Sequence, residues 1–188
     1  MGLQKWKNLL KKEGRTMTKH ALLLADEEWC EAASSGRIKV YDFIKPKKHR
    51  IHALEMGSVC VVMTKAKPNK PSRIYGEFTA CEIKEVDSDE YNKLVSKGYI
   101  HNPQVLKTGE KRWIILFNTF TEYPKKVLKK ELKDVRTSTS KKPLSEWPIT
   151  GLTYIDQQAL DAIRTVSRFA QLSKLLNEIK SLIMESLN

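Results

Sequence analysis

Short β-prone runs, bounded by glycine or proline, fill most of the sequence between residues 20 and 155. Such runs in succession, with turn residues between them, are typical of a small sheet or barrel and not of a helical bundle. The longest run, RIYGEFTACEIKEV (73–86), predicts one strand with Ile74, Gly76 and Phe78 on one face. The other runs are HALLLA (20–25), RIKVYDF (37–43), SVCVVMTKA (58–66) and Trp113 to Phe117. We therefore predict an α+β domain in which about five to seven strands form a small mixed β-barrel.

Short helices are predicted between these strands. DEEWCEAASSG (26–36) begins with acidic residues and ends at a glycine, which is typical of a short helix. DSDEYNKLVSKG (87–98) has the same organisation, with Ser88 as its predicted N-cap. A third helix is predicted to begin after Asp156.

The two ends of the chain differ from the middle. Residues 1–17 predict a basic amphipathic helix or extension, and residues 166–188 predict an amphipathic helix with a leucine-rich stripe from Leu172 to Leu187. The predicted domain lies between them, over residues 18–165. The C-terminal stripe either packs on this domain, or joins a second copy of the chain or a partner motor domain.

The charge balance favours an anionic partner. The chain has 34 lysines and arginines against 22 aspartates and glutamates, a formal net charge of +12. A strongly basic domain has nucleic acid as the first partner to test. No apolar run reaches the roughly 18–20 residues of a membrane span, and the basic N-terminus does not have the pattern of a signal peptide. We expect no membrane partner.

The three cysteines, Cys30, Cys60 and Cys81, are odd in number and lie in apolar surroundings. This pattern predicts reduced thiols in a cytoplasmic protein, not a disulfide framework. His49 and His52 have no matching ligand pair at zinc-site spacing, so no metal is predicted. The sequence also has no phosphate-binding glycine motif, and no cofactor is expected.

Basic residues are concentrated in loops between the predicted strands. Lysine-rich loops suit phosphate contacts, because each contact releases counterions from the nucleic acid. The alternative is a merely solubilising surface. The candidates form two clusters, with a third basic stretch over residues 125–142: Lys45, Lys47, Lys48 and Arg50 in the first, and Lys65, Lys67, Lys70 and Arg73 in the second.

Four segments, taken in order, resemble the PUA-like superfamily, which holds the ASCH, EVE and YTH domains. They are SSGRIKVYD (34–42), ALEMGSVCVVMTK (53–65), RIYGEFTACEIKEV (73–86) and KPLSEWPITGLTYIDQQALDAI (142–163). The resemblance covers roughly residues 18–165. It implies a small mixed barrel whose mouth, ringed by the basic loops, binds nucleic acid.

The sequence departs from the G-x-K-x-x-E-x-R pattern of ASCH domains. Lys39 stands one place late after Gly36, although Lys39 and Asp42 keep the spacing of the lysine and the acid. Ile44 stands where the arginine would be, and Ser58 replaces the usual aspartate after the following glycine. The resemblance therefore implies the fold more strongly than one family's chemistry.

Relatives of the EVE and YTH kind hold a flipped, often methylated base among aromatic rings, which the resemblance implies here too. Most strand aromatics are core residues, and Trp29 is predicted to pack its helix on the barrel. Tyr41, beside the first basic loop, and Trp147, in a proline- and glycine-containing loop, are the first candidates for a base pocket. Tyr75 and Trp113 are the next.

An enzymatic alternative comes from the same resemblance. Some ASCH proteins are amidohydrolases that deacylate a modified cytidine with a lysine, a threonine and a glutamate. Lys39 and Glu77 would supply the lysine and the acid here, and Thr64 or Thr79 the hydroxyl. We predict a nucleic-acid-binding module without catalysis as the main function, and leave open whether DNA or RNA is bound.

Overall fold

The computed structural model describes residues 19–43, 51–136, 142–147, 149, 151–167 and 179. The predicted N-terminal helix, the first basic cluster and nearly all of the C-terminal stripe lie outside these residues. Of that stripe only Ile179 is described, in a helical conformation with an exposed side chain.

Eight strands and three α-helices are present in the described part of the chain. The strands are β1 (His20–Ala25), β2 (Val40–Asp42), β3 (Val59–Thr64), β4 (Arg73–Thr79), β5 (Glu82–Val86), β6 (Arg112–Leu116), β7 (Phe120–Leu128) and β8 (Leu152–Ile155). The helices are α1 (Glu27–Ser34), α2 (Ser88–Ser96) and α3 (157–167), and a 3₁₀ turn covers Lys129–Leu132.

The strands form two sheets. The first has the order β7-β4-β3-β1-β8, with β1 and β3 parallel and the other neighbours antiparallel. The second, with the order β2-β6-β5, is antiparallel throughout. The α+β class is confirmed, but the sheets of the described residues do not close into the predicted barrel.

The predicted single strand over 73–86 is divided between the two sheets. The chain leaves the first sheet at Ala80, whose amide donates to the carbonyl of Ser58 at 2.9 Å. It joins the second sheet at Cys81, whose amide donates to the carbonyl of Leu116 at 2.8 Å. The run is continuous in sequence because both halves are equally β-prone, so only their partners reveal the break.

A bulge in β4 corrects the predicted alternation of side chains. The pairing with β3 and with β7 shifts between Ile74 and Gly76, so Tyr75 has no direct partner in either register. An extra residue in a strand reverses the faces of the residues on its two sides. Ile74 therefore packs towards α3, whereas Phe78 packs on the opposite face.

Three hydrophobic clusters fill the interior of the described part of the chain. One lies between α1 and the two sheets, and there the Phe78 and Phe117 rings stack at 4.4 Å. The second lies between the first sheet and α3 and includes Leu160. The third joins the second sheet to α2 and includes Tyr91. Trp29 of α1 is buried in the first cluster, which confirms its predicted packing role.

The helix boundaries follow local chemistry with one correction. The N-cap of α2 is Asp87 and not the predicted Ser88, because the Asp87 carboxylate accepts the amides of Asp89 and Glu90 at 3.1 and 2.9 Å. For α3, the predicted cap is confirmed, since the Asp156 carboxylate accepts the amide of Ala159 at 2.8 Å.

Burial makes two of the three thiols unreactive. It raises the pKa of the Cys30 and Cys60 thiols to about 12, whereas Cys81 is half-buried. We expect Ellman's reagent to titrate only one thiol in the native protein and all three after denaturation, because the thiolate is the reactive form. Cys81→Ser should abolish the native reaction; rapid labelling that survives this change would contradict the described burial.

Among the described residues, no helix is long and apolar enough to cross a membrane.

Candidate nucleic-acid interface

The larger of two neighbouring cavities opens where β1 ends and α1 begins. Its volume is about 280 Å³. The wall combines aromatic rings, two carboxylates and amide side chains, which is a mixture that suits a planar polar ligand. The lining residues are Leu24, Ala25, Asp26, Trp29, Tyr41, Asp42, Phe43, Lys65, His101, Asn102, Gln104 and Gly151.

Three rings form the aromatic wall of this larger cavity. The ring of Tyr41 meets that of Trp29 edge-on at 5.4 Å and that of Phe43 at 5.1 Å. Tyr41 is buried, and its hydroxyl donates to the carbonyl of Leu24 at 2.7 Å. Burial raises the pKa of Tyr41 above its ordinary value, so this side chain stays neutral. Phe43 is half-buried and is the more accessible ring.

A buried ion pair fixes the polar wall of the larger cavity. One carboxylate oxygen of Asp42 accepts from the Arg112 guanidinium at 3.0 Å and from the Tyr91 hydroxyl at 3.2 Å. Arg112 also donates to the side-chain carbonyl of Gln104 at 3.3 Å. Both Asp42 and Gln104 line the cavity, whereas Arg112 does not. Arg112 therefore positions these two side chains without lining the cavity itself. Arg112, on β6, was not among the predicted site residues. It pairs with Asp42, although the arginine that the ASCH pattern places two positions after the acid is replaced here by Ile44.

The smaller cavity, of about 120 Å³, lies beside the turn between β3 and β4. The bulge at Tyr75 places its ring under the Lys126 ammonium, 4.0 Å from the ring centre. Lys65 borders both cavities. The lining consists of five cations, one carboxylate and three other residues: Lys65, Lys67, Lys70, Arg73 and Lys126; Glu27; and Thr64, Pro71 and Tyr75.

The lysines of the second basic cluster face the first turn of α1, where each meets one carboxylate. The pairs are Lys65–Asp26 at 3.3 Å, Lys67–Glu28 at 3.3 Å and Lys70–Glu27 at 2.9 Å. The hydrogen bond from Lys70 lowers the pKa of Glu27. All six side chains are exposed to solvent, between 37% and 64%.

The four predicted base-pocket aromatics do not share one site. Tyr41 lines the larger cavity and Tyr75 the smaller one. Trp113, on β6, contacts the ring of His52 edge-on at 5.2 Å. Trp147 is half-buried in a turn, where its own backbone amide donates to the carbonyl of Leu144. It lines neither of the two cavities. Phe43 is a ring at the larger cavity that sequence reasoning did not select.

Lys39 and Glu77, the residues of the enzymatic alternative, have separate partners. The Lys39 ammonium lies 5.7 Å from the centre of the Tyr99 ring, beside the second sheet. The Glu77 carboxylate, on the first sheet, forms a two-pronged pair with the Arg164 guanidinium at 2.7–3.1 Å and accepts from the Tyr123 hydroxyl. Neither Lys39 nor Glu77 lines the two cavities.

No group of three or more histidine, cysteine, aspartate or glutamate side chains is arranged to hold a metal ion in the described part of the chain.

Solved structures share this fold. ASCH from Zymomonas mobilis matches with a TM-score of 0.58 and 14% identity, over 78% of this chain and 94% of that one. A hypothetical protein from Leishmania major matches at 0.57 and 13% identity, over 82% and 97%. Human THYN1, in complex with DNA that contains 5-methylcytosine, matches at 0.51 and 12% identity, over 80% and 98%. No protein-family model and no curated protein matches the sequence.

The likeness identifies the fold. The chain has the PUA-like fold found in ASCH and EVE-type domains, which confirms the fold predicted from its four sequence segments, except that the sheets of the described residues do not close into a barrel.

Proposed function

We propose that this protein is a nucleic-acid-binding module that receives one base in the larger cavity and phosphates on the neighbouring lysines. The observation that carries the proposal is that the two cavities share Lys65 in their walls. Lys65 borders a cavity walled by Tyr41 and Phe43 on one side and a cavity lined by five cations on the other. A nucleotide presents the same combination, a flat polar base joined to an anionic group.

The larger cavity has the chemistry of a base site. A volume of about 280 Å³ is small for a drug-sized ligand, and it suits a single base rather than a stretch of several. The Phe43 ring supplies a stacking surface, and the carboxylates of Asp26 and Asp42 supply hydrogen-bond acceptors. A base reaches such a cavity when it is unstacked or already single-stranded.

The choice of first ligand follows from the structural neighbours. THYN1 was solved with DNA that contains 5-methylcytosine, so DNA with this modification is the first ligand to test on this chain. RNA is the second ligand to test. The amidohydrolase alternative has less support, since Lys39 and Glu77 do not meet at either cavity. A partner bound through residues 166–188 stays a prediction.

The test compares single- and double-stranded DNA and RNA of about 12 nucleotides, each with and without one 5-methylcytosine. We expect Phe43→Ala to weaken binding of the preferred oligonucleotide by roughly 5- to 150-fold, because a stacked base contributes about 1–3 kcal/mol. Trp113→Ala is the matched control, as Trp113 lies outside both cavities. Equal losses from the two changes would contradict a base site at Phe43, and undetectable binding of all oligonucleotides would reject the proposed function.

The phosphate contacts are tested by salt. We expect the logarithm of the association constant to fall linearly with the logarithm of salt concentration, with a slope of about −3.5 to −4.5 for about five net contacts. Lys67→Ala with Lys70→Ala should flatten this slope without changing the preference among bases, since phosphate contacts do not read sequence. A slope near zero would show that the lysines contact no phosphate.

A further inference from the structure

The three ion pairs between α1 and the β3–β4 turn put carboxylates where the proposed function requires phosphates. Lys65, Lys67 and Lys70 are the lysines of the second basic cluster, and each is already bound to an acid. We propose that the first turn of α1 is an autoinhibitory phosphate mimic, which occupies these lysines in the free protein and which nucleic acid must displace. This inference rests on the proposed function and defines how the same site is regulated.

The turn that carries Lys67 and Lys70 is closed by backbone hydrogen bonds. Lys67 and Lys70 exchange two backbone hydrogen bonds, of 2.9 and 3.0 Å, around the two-residue turn Pro68–Asn69. Asn69 has a φ of 66°, a left-handed conformation that asparagine tolerates well. The hydrogen-bonded turn presents both ammonium groups towards α1, so exchange of a carboxylate for a phosphate requires rotation of the lysine side chains and no rearrangement of the turn.

The pairs are weak enough to be exchanged. Their side chains are exposed, and exposed ion pairs contribute little to stability because water screens them. The carboxylates remain favourable without the lysines, since acidic groups in the first turn of a helix interact with its positive end. Release of the lysines therefore leaves α1 intact.

The position of the pairs makes a bound phosphate and the α1 carboxylates compete for the same lysines. Asp26 and Lys65 line the larger cavity, and Glu27, Lys67 and Lys70 line the smaller one. A phosphate next to a base in the larger cavity enters between the same partners. It gains lysine contacts only as the carboxylates lose them, and the carboxylates repel it throughout.

The test replaces the three acids by their amides: Asp26→Asn, Glu27→Gln and Glu28→Gln. At low salt we expect each change to tighten oligonucleotide binding about 2- to 3-fold, and the triple variant roughly 10-fold. The salt dependence should become steeper. In the unmodified protein each released carboxylate takes up only a fraction of a cation, which offsets part of the counterion release from the nucleic acid, whereas an amide takes up none. The probes are a mixed-sequence DNA and the matching RNA, each single-stranded and about 12 nucleotides long.

A control variant separates the effect from net charge. Glu82→Gln, Glu85→Gln and Glu90→Gln add the same charge and break lysine pairs on β5 and α2, where no cavity-lining residue takes part. The inference requires the α1 variant to bind several-fold more tightly than this control. Equal gains in the two variants, or weaker binding by the α1 variant, would overturn it.

The possible outcomes also separate the inference from the proposed function. If the unmodified protein binds and the α1 variant binds no better, the inference fails and the proposed function stands. If neither binds, the proposed function fails and the inference with it. Binding by the α1 variant alone supports both. Should the triple variant unfold, Glu27→Gln with Glu28→Gln leaves the Lys65–Asp26 pair in place and tests the same prediction.

Discussion

Replacement of Arg112 by methionine is expected to lower the free energy of unfolding by about 3–5 kcal/mol. The side chains of Arg112 and Asp42 are only 8% and 15% exposed, and their groups pair at 3.0 Å. Methionine fills much of the space of arginine but leaves the Asp42 carboxylate without its charged partner at a poorly hydrated position. In a chain of this size the loss should reduce the melting temperature by about 10 °C, measured by circular dichroism.

The reason for this loss is tested by a second change. Arg112→Met combined with Asp42→Asn removes both charges, so most of the lost stability should return. Lys111→Met is the matched control, because Lys111 is exposed and its nearest acid, Glu85, is 3.8 Å away. It should change stability by less than about 1 kcal/mol. A double variant as unstable as Arg112→Met would assign the loss to packing and not to an unpaired carboxylate.

Local patterns predicted the elements that depend on local chemistry. β1 and β3 follow from apolar β-branched or leucine-rich runs, and α1 follows from an acidic start with a glycine two positions after its last residue. Gly36 has a φ of 71°, a conformation that costs glycine little and most other residues more. Signals of this kind are contained in about ten neighbouring residues.

Features that depend on distant partners were not predictable in the same way. The division of residues 73–86 into β4 and β5 is determined by Ser58 and Leu116, which accept backbone hydrogen bonds at the break. The N-cap of α2 was misassigned by one place because Asp87 and Ser88 are both good caps, and only the hydrogen bonds distinguish them.

The candidate interface also depends on residues that are distant in sequence. The sequence placed Lys65, Lys67 and Lys70 together because they are close in the chain. It did not reveal their acidic partners, which are 39 to 43 residues away. Tyr41 was selected for its place beside a basic loop and does line the larger cavity. Charge and aromatic composition therefore indicated candidate residues, and topology determined which of them lie together.

The second large effect is expected at Gly76, where β4 lies against β7. A Cβ atom on this residue would stand 2.3 Å from the backbone oxygen of Thr121 and 2.6 Å from the Phe120 ring. The ring has some freedom to rotate, but the Thr121 oxygen belongs to the backbone of β7. This strand pairs with β4 at Gly76 and on both sides of it. The alanine therefore fits only if β4 and β7 separate, and such overpacking costs about 3 kcal/mol or more.

We expect Gly76→Ala to lower the melting temperature by roughly 6–12 °C. Gly109→Ala is the matched control: nothing lies within 4 Å of its Cβ position, and its φ of 86° costs alanine only about 1–2 kcal/mol of backbone strain. Phe120→Ala added to Gly76→Ala removes the ring but not the Thr121 oxygen. If the backbone contact dominates, this added change restores no stability. If the double variant regains stability, the clash is with the Phe120 ring. The spacing between the β4 and β7 backbones at Gly76 would then accommodate a methyl group.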